Sequence, residues 1–357
     1  VPASSFMSEY HAELDTLEGA GGLRIAFARE DEYPWDRVKA EQLPDVDFEV
    51  WGDCLSWTEE QLCRRLRGVT AVVTGRKSPL LPQGLIEDAG KLKAVFHCHG
   101  GIRGIAGKEH LLAGITVTNW GKDSGGSLAE AALALMLGCL KQLRSLHAWV
   151  ETGKQVDGRI YQNFPCTLYG ANIGLYGFGP IGSKMWPLLE PFSPKLAIYD
   201  PYAESIPPGA KRCATLEELF DHSDIVSIHC GLNDVTRDSV TADLLDRLPQ
   251  GGILVNTARG KIVDEDALAE RVHAGRLLAG LDVVREEGAA WGSGPMTGTP
   301  HAILGGHQTG KGKGPEPDTA EQRSKRLAGH VVKNIRALMN AEPLINEVTA
   351  DEYDLKT

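Results

Sequence analysis

The chain has 357 residues, of which 42% are hydrophobic and 24% charged, and it carries a formal net charge of −11 at pH 7. That is enough chain for two domains with real cores, and the composition excludes a fibre or a disordered polymer. The acidic balance repels a nucleic-acid backbone or an anionic membrane surface, so neither is expected as a partner, and an anionic small molecule needs local arginines.

Seven cysteines (Cys54, Cys63, Cys98, Cys139, Cys166, Cys213 and Cys230) show no CxxC or zinc spacing, as expected for reduced thiols in the cytoplasm. The acids Glu9, Glu13, Asp15 and Glu18 interrupt the apolar core that a secretory leader requires. The longest apolar run, Leu128 to Leu140, contains Glu130 and is too short to span a bilayer.

Short β-rich runs alternate with helical patterns along the chain, which predicts parallel sheets covered by helices. A first unit holds candidate strands Leu23 to Ala28, Asp47 to Trp51, Val69 to Thr74, Leu92 to His97 and Ile115 to Asn119. Its candidate helices are Thr58 to Leu66, Gln83 to Ala89 and Lys108 to Leu112. A second unit opens after Asn119-Trp120-Gly121 with a flexible stretch, Asp123 to Gly126, and a helix from Ser127 whose buried face is Leu128, Ala131, Ala132, Leu135 and Cys139. Its strands are expected at Ile173, Leu196, Ile225, Ile253, Leu278 and Ile303. After the glycine-rich connection Gly310 to Pro315, Asp318 and Glu321 form a capping box for a helix from about Thr319. Leu327, Val331, Ile335 and Leu338 give that helix one apolar face, which should return to the first unit. The expected domains are therefore 1–118 with 309–357, discontinuous, and 119–308 inserted between them.

Residues 174–200 spell a dinucleotide-binding unit: a strand to Tyr176, the turn Gly177-Phe178-Gly179-Pro180-Ile181-Gly182, a helix, and a strand from Lys195 to Asp200. Gly177 permits the tight turn, Gly179 lets the backbone approach a pyrophosphate, and Gly182 allows helix and strand to pack closely. The helix amino terminus then faces the phosphates. Asp200 lies roughly 20 residues on, where such units place the acid that grips the adenosine ribose. A carboxylate there repels a 2'-phosphate, and Pro201-Tyr202 supplies no cation, so NAD is expected rather than NADP. Pro187 is expected to kink the helix.

Downstream, the strand ending at Val255 leads into Asn256-Thr257-Ala258-Arg259, which puts an arginine at a strand carboxyl end, where open α/β sheets bind ligands. A guanidinium presents a planar fork to a carboxylate and orients a 2-oxo or 2-hydroxy acid; the bland alternative is a surface ion pair. Another strand ends in Asp282, Glu286 and Glu287, and His301 and His307 follow. A carboxylate beside a histidine raises its pKa and suits it to proton exchange with a hydroxyl or carbonyl. His97 and His99 flank Cys98 on one strand end but lack a third ligand at useful spacing, so no metal is expected.

Together the AEAALALML helix at Ala129 to Leu137, GFGPIG, the stretch from Ser223 to Leu245, ILVNTARGKIVDEDAL from Ile253 and LLAGLDVVREE from Leu277 resemble the D-isomer-specific 2-hydroxyacid dehydrogenases, over nearly the whole chain. The resemblance implies two doubly wound α/β domains, a Rossmann NAD-binding domain inserted in a flavodoxin-like substrate domain. It implies hydride transfer between NAD(H) and C2 of a small 2-hydroxy or 2-oxo acid, in a homodimer. Arg259 would bind the substrate carboxylate, Glu287 would support the histidine, and the backbone N–H groups of Gly100 and Gly101 would also hold the carboxylate. Asp282 would lie near the nicotinamide amide, and Pro180, Ile181, Cys230, Thr236, Thr257 and Ala258 would join Gly177, Gly179 and Asp200 around the cofactor.

The family usually shows Thr-Pro-His after an apolar strand. Thr299-Pro300-His301 has the letters but no strand before it, whereas Pro300 to His307 reproduces proline, polar residue, apolar strand, turn and histidine, so His307 is the expected acid/base. Arg103, Gly231 and Gly305-Gly306 depart from the family pattern and leave the side chain of the substrate open. Arg76 and Lys77 are read as solvated loop charges, Trp291 as packing, and His229 as a wall residue near the cofactor. Two other readings remain: formate oxidation on the same fold, against which Glu287 stands because the family's formate enzymes carry glutamine there, and an NAD-sensing corepressor-like binding protein with negligible turnover.

Overall fold

The computed structural model describes residues 23–28, 43, 46–75, 77–121, 125–153, 167–286, 293–310 and 320–353. In chain order the elements begin with β1 (Leu23–Phe27), β2 (Val46–Val50), α1 (Glu59–Arg67), β3 (Ala71–Thr74), α2 (Gly84–Glu87), β4 (Ala94–His97), α3 (Lys108–Leu112) and β5 (Thr116–Thr118). There follow α4 (Gly125–Leu140), α5 (Leu143–Glu151), β6 (Asn172–Tyr176), α6 (Gly182–Leu189), β7 (Lys195–Tyr199), β8 (Lys211–Arg212), α7 (Leu216–Asp221), β9 (Ile225–Ile228) and α8 (Ala242–Arg247). The rest are β10 (Gly252–Asn256), α9 (Glu265–His273), β11 (Leu277–Leu281), β12 (Ala302–Leu304), α10 (Ala320–Met339) and β13 (Glu347–Val348).

Two compact units result, 1–121 with 313–357, and 122–312. Asn119 and Trp120 belong to the first because their N–H groups bond to Asn346 O and His99 O, at 3.1 and 3.2 Å. Gly310 belongs to the second, packed against Leu128.

The first unit holds a six-stranded sheet in the order β13-β5-β4-β3-β1-β2, parallel except for β13 against β5. Its parallel part, β2-β1-β3-β4-β5, is the flavodoxin-like order, with the reversal between β1 and β3. Successive residues serve opposite cores, as parallel strands buried on both faces must. Val72 of β3 joins Leu62, Leu66 and Ile102 on one face, and Ala71 and Val73 join Phe27, Phe96, Val331 and Ile335 on the other. The second cluster docks α10 on this sheet, where buried Asn334 donates to Thr118 Oγ1 and accepts from Ile345 N–H. α1 opens with the capping box of Thr58 and Gln61.

The second unit holds a seven-stranded, wholly parallel sheet, β12-β11-β10-β9-β6-β7-β8. Read from β8, strand order reverses between β6 and β9, the crevice where doubly wound sheets take ligands. Leu254 faces one core with Phe220 and Leu268, while Ile253 and Val255 face the other with Met136 and Leu140.

α4 starts two residues before the expected Ser127 and is buried over more than the expected face, including Ala129, Met136 and Leu140. The cause is close packing on the sheet: a Cβ on Gly280 would stand 3.0 Å from Leu135 Cβ. Pro187 is accommodated within α6, which gives way to a 3-10 turn after Leu189. Among the described residues no single helix is long and apolar enough to cross a membrane. Asp318 and Thr319, expected to start α10, and the side chain of Leu327 lie outside the described residues.

Candidate functional site

The site is built from the carboxyl ends of the second unit's parallel strands. β6 ends at Tyr176 and turns at Gly177, whose φ of +96° strains any L side chain; a Cβ there would meet Cys230 N at 2.6 Å. A Cβ on Gly182 would stand 2.2 Å from Gly177 O, so helix and turn meet backbone to backbone. At Gly179 nothing lies within 4 Å of that position, which leaves the backbone open to a phosphate. Pro180 is exposed beside it, and half-buried Ile181 accepts the N–H of Met185 as α6 begins. Asp200, at the end of β7, accepts from Phe178 N–H at 2.6 Å and from Tyr202 N–H at 2.8 Å. Its carboxylate therefore stands beside the glycine turn.

β9 leads into His229 and Cys230. Burial holds the His229 imidazole neutral, with its pKa lowered to about 4, and neither ring nitrogen has a hydrogen-bond partner. Burial also pushes the Cys230 thiol up to about 12, which makes it a wall and not a nucleophile. Thr236 stitches the following loop: its hydroxyl donates to Gly231 O at 2.7 Å and accepts from Asn233 N–H at 2.8 Å.

At the end of β10, buried Asn256 accepts from Ala258 N–H at 3.0 Å and donates to Arg259 O at 2.9 Å. This pair shapes the turn that carries exposed Arg259, a positioning role that the sequence reading missed. The asparagine one strand-end upstream of an arginine was the available signal. Thr257 Oγ1 is buried there without a partner. An open Gly179, the Asp200 carboxylate and the orphaned polar atoms of Thr257 and His229 fit a polar group such as a dinucleotide along this edge.

Asp282 follows β11 and is 2% exposed. Its Oδ1 accepts from Gln308 and Thr309 N–H at 3.0 and 3.1 Å, and its carbonyl accepts from His307 N–H at 2.7 Å. Gly305 allows this approach, since a Cβ there would lie 2.5 Å from Asp282 Oδ1. His307 itself sits in the left-handed region at φ +58°, after Gly306 at +64°. The carboxylate expected near a nicotinamide is thus also the anchor of the histidine turn.

His301 precedes β12, at the amino edge of the sheet, packed near Gly275 and half-buried, so that desolvation lowers its pKa. Ser145 Oγ donates to Pro300 O and Arg144 to Ala302 O, tying that edge to α5. β12 therefore separates His301 from the carboxyl edge by about 10 Å. Glu286 lies 3.5 Å from Lys261 Nζ, and buried Glu265 accepts from Arg285 N–H. Glu287, Trp291 and Arg76 lie outside the described residues.

In the first unit the expected substrate loop follows β4. Gly100 O accepts from Asn119 Nδ2 at 2.8 Å, exposed Gly101 follows, and the Arg103 guanidinium lies 5.5 Å over the Tyr353 ring.

A flavodoxin-like sheet and a Rossmann sheet with a complete glycine turn define the two-domain class of dinucleotide-binding α/β proteins. The fold is shared with an acyclic imino acid reductase solved with NADPH and D-Arg, at a TM-score of 0.73 and 21% identity over 91% of this chain and 100% of that one. Residues 133–309 match the NAD binding domain of the D-isomer specific 2-hydroxyacid dehydrogenases. The hydroxypyruvate reductase of Thermotoga maritima is 32% identical over 60% of this chain and 70% of its own length. The D-3-phosphoglycerate dehydrogenase of Methanocaldococcus jannaschii is 28% identical over 79% of this chain, which spans 54% of that relative. The chain belongs to the D-isomer specific 2-hydroxyacid dehydrogenase family, NAD(P)-dependent oxidoreductases of 2-hydroxy and 2-oxo acids.

Proposed function

We propose that this chain interconverts a small D-2-hydroxy acid and its 2-oxo acid with NAD(H), as a cytoplasmic homodimer. The carrying observation is the end of three adjacent parallel strands: Arg259 three residues after β10, Asp282 directly after β11, and His307 three residues after β12. Neighbouring strands lie about 4.8 Å apart, so these ends share a span of about 10 Å, the scale of a small acid and its proton donor.

Arg259 binds the substrate carboxylate through its guanidinium and polarises the neighbouring carbonyl. His307, protonated, gives its proton to the carbonyl oxygen in reduction and takes it from the hydroxyl in oxidation. Glu287 stabilises the imidazolium, and Asp282 fixes the turn that carries the ring. The N–H groups of Gly100 and Gly101 share the carboxylate. Gly177, Gly179, Pro180, Ile181, Asp200, Cys230, Thr236, Thr257, Ala258 and Asp282 would hold a bound dinucleotide, which would supply or accept the hydride at substrate C2. Asp200 favours NAD by repelling a 2'-phosphate.

The test is consumption of NADH, with NADPH in parallel, against glyoxylate, hydroxypyruvate, pyruvate, phenylpyruvate, branched 2-oxo acids and a phosphorylated one. Turnover of one or more with NADH, and at least about tenfold slower with NADPH, is expected. Tight NADH binding with no turnover of any member would replace this reading with an NAD-responsive binding protein.

A further inference from the structure

His97 is a buried titratable group that the proposed chemistry does not use. We propose that it is a positioning residue: with Asn119, it fixes the peptide planes that follow Gly100 and Gly101 so that the N–H groups of Gly101 and its neighbour Ile102 stand ready for a carboxylate. The inference rests on the proposed function and names what holds one of its subsites.

Three neighbouring strand ends converge on this turn. Thr74 ends β3, His97 ends β4 in register with it, and Asn119 follows β5. The His97 ring is 4% exposed, and Nδ1 lies 3.1 Å from Thr74 Oγ1. The ring also faces the backbone of Gly101 and of Thr74, and bonds to both favour its protonated form, the sense of a ring N–H directed at a carbonyl. Asn119 holds the adjacent carbonyl, Gly100 O, at 2.8 Å, and is itself held by Asn346 O and Gly121 N–H.

A trans peptide is planar, and its C=O and the following N–H point in opposite directions. Tying Gly100 O toward Asn119 therefore turns the Gly101 N–H away from it, and tying Gly101 O toward His97 does the same for Ile102. No described backbone hydrogen bond uses the N–H of Gly100, Gly101 or Ile102. Trp120 closes the other side: a Cβ on Gly100 would stand 2.8 Å from its Nε1, and its ring lies 5.0 Å from that of His99. Burial, with His99 nearby, lowers the His97 pKa to about 3. The ring thus stays neutral near pH 7, and the tautomer that accepts the Thr74 hydroxyl at Nδ1 leaves its one N–H on Nε2 for a backbone carbonyl such as that of Gly101.

The experiment measures KM and kcat for the best 2-oxo acid, with NADH affinity and thermal midpoint, in His97→Ala, His97→Gln and Thr74→Val. In His97→Ala, KM should rise about tenfold, the loss of one buried hydrogen bond, while kcat and NADH affinity change less than about threefold. His97→Gln keeps a donor and an acceptor and should recover most of the loss. An unchanged KM in His97→Ala, or a natively stable His97→Gln as impaired as alanine, overturns the positioning role. Should His97→Ala not fold, Thr74→Val decides: KM should rise about threefold, and an unmoved KM refutes the proposal. If the wild-type chain reduces no 2-oxo acid, the proposed function fails and this inference with it. If it does and KM ignores these variants, only this inference fails.

Discussion

Residue identity matters most where the backbone is constrained. His307 occupies a left-handed conformation that an imidazole tolerates and a β-branched residue resists; its N–H is held by the Asp282 carbonyl, and the next two N–H groups by the Asp282 carboxylate. His307→Asn should lower kcat by at least about a hundredfold with NADH affinity intact, whereas His301→Asn, at the opposite edge of the sheet, should stay within about twofold. Steady-state kinetics on both variants check this, and the reverse pattern would move the acid/base role to His301. The buried imidazoles also set a pH dependence. His97 and His229 have folded pKa values of about 3 and about 4, below the ordinary 6.5. For a base, a depressed folded pKa means the unfolded chain takes the proton first, so their contribution is intact above pH 6.5 and is lost as pH falls below it. At pH 4.5 each costs up to about 2.5 kcal/mol. Urea unfolding at pH 7 and 4.5 should show His97→Gln losing less stability on acidification than the wild type. An equal loss would mean that the ring titrates normally in the fold.

Elements meet at glycines here, and two of them separate folding from binding. A methyl on Gly182 meets Gly177 O at 2.2 Å, while one on Gly179 meets nothing. Gly182→Ala should therefore lower stability by about 2 kcal/mol or more, through the turn and α6 together. Gly179→Ala should leave the thermal midpoint within about two degrees but weaken NADH binding at least about tenfold, because the methyl occupies the phosphate's approach. Calorimetry of both variants tests the pair, and an NADH affinity unchanged in Gly179→Ala would remove the turn from the cofactor site. These elements were legible because alternating apolar runs and glycine spacing are local. The strands of both sheets and the face of α10 read from the same pattern. α5 did not: it starts at a left-handed Gln142, has no side-chain cap and buries no residue fully. The two-residue strands β8 and β13 exist only through their neighbours. Asn256 and Glu265 carry no periodic signal, since their roles come from backbone groups brought near by the fold.

At the scale of the whole molecule, a chain with a net charge of −11 is read as binding two kinds of anion, a dinucleotide and a 2-oxo acid. The general field opposes both, so the attraction must be short-ranged and supplied by backbone N–H groups and Arg259. The legible part of the site follows from this: arginine after a strand and glycines in a turn are what a local anion site requires, whereas the substrate's side chain is selected by a surface no motif encodes. The two kinds of interaction respond differently to salt. Raising ionic strength from about 0.01 to about 0.15 M shortens the Debye length from about 30 to about 8 Å, which screens the general repulsion and leaves a direct guanidinium–carboxylate pair largely untouched. The kcat/KM for an anionic 2-oxo acid should therefore rise about twofold over that range. Arg259→Gln should lower it by at least about a hundredfold at both salt concentrations, by nearly the same factor. A wild-type kcat/KM that falls steeply with salt would instead show an attractive field reaching well beyond one arginine. The search for further cationic substrate contacts would then begin with Lys77, three residues after β3, and Arg103, two residues after Gly101.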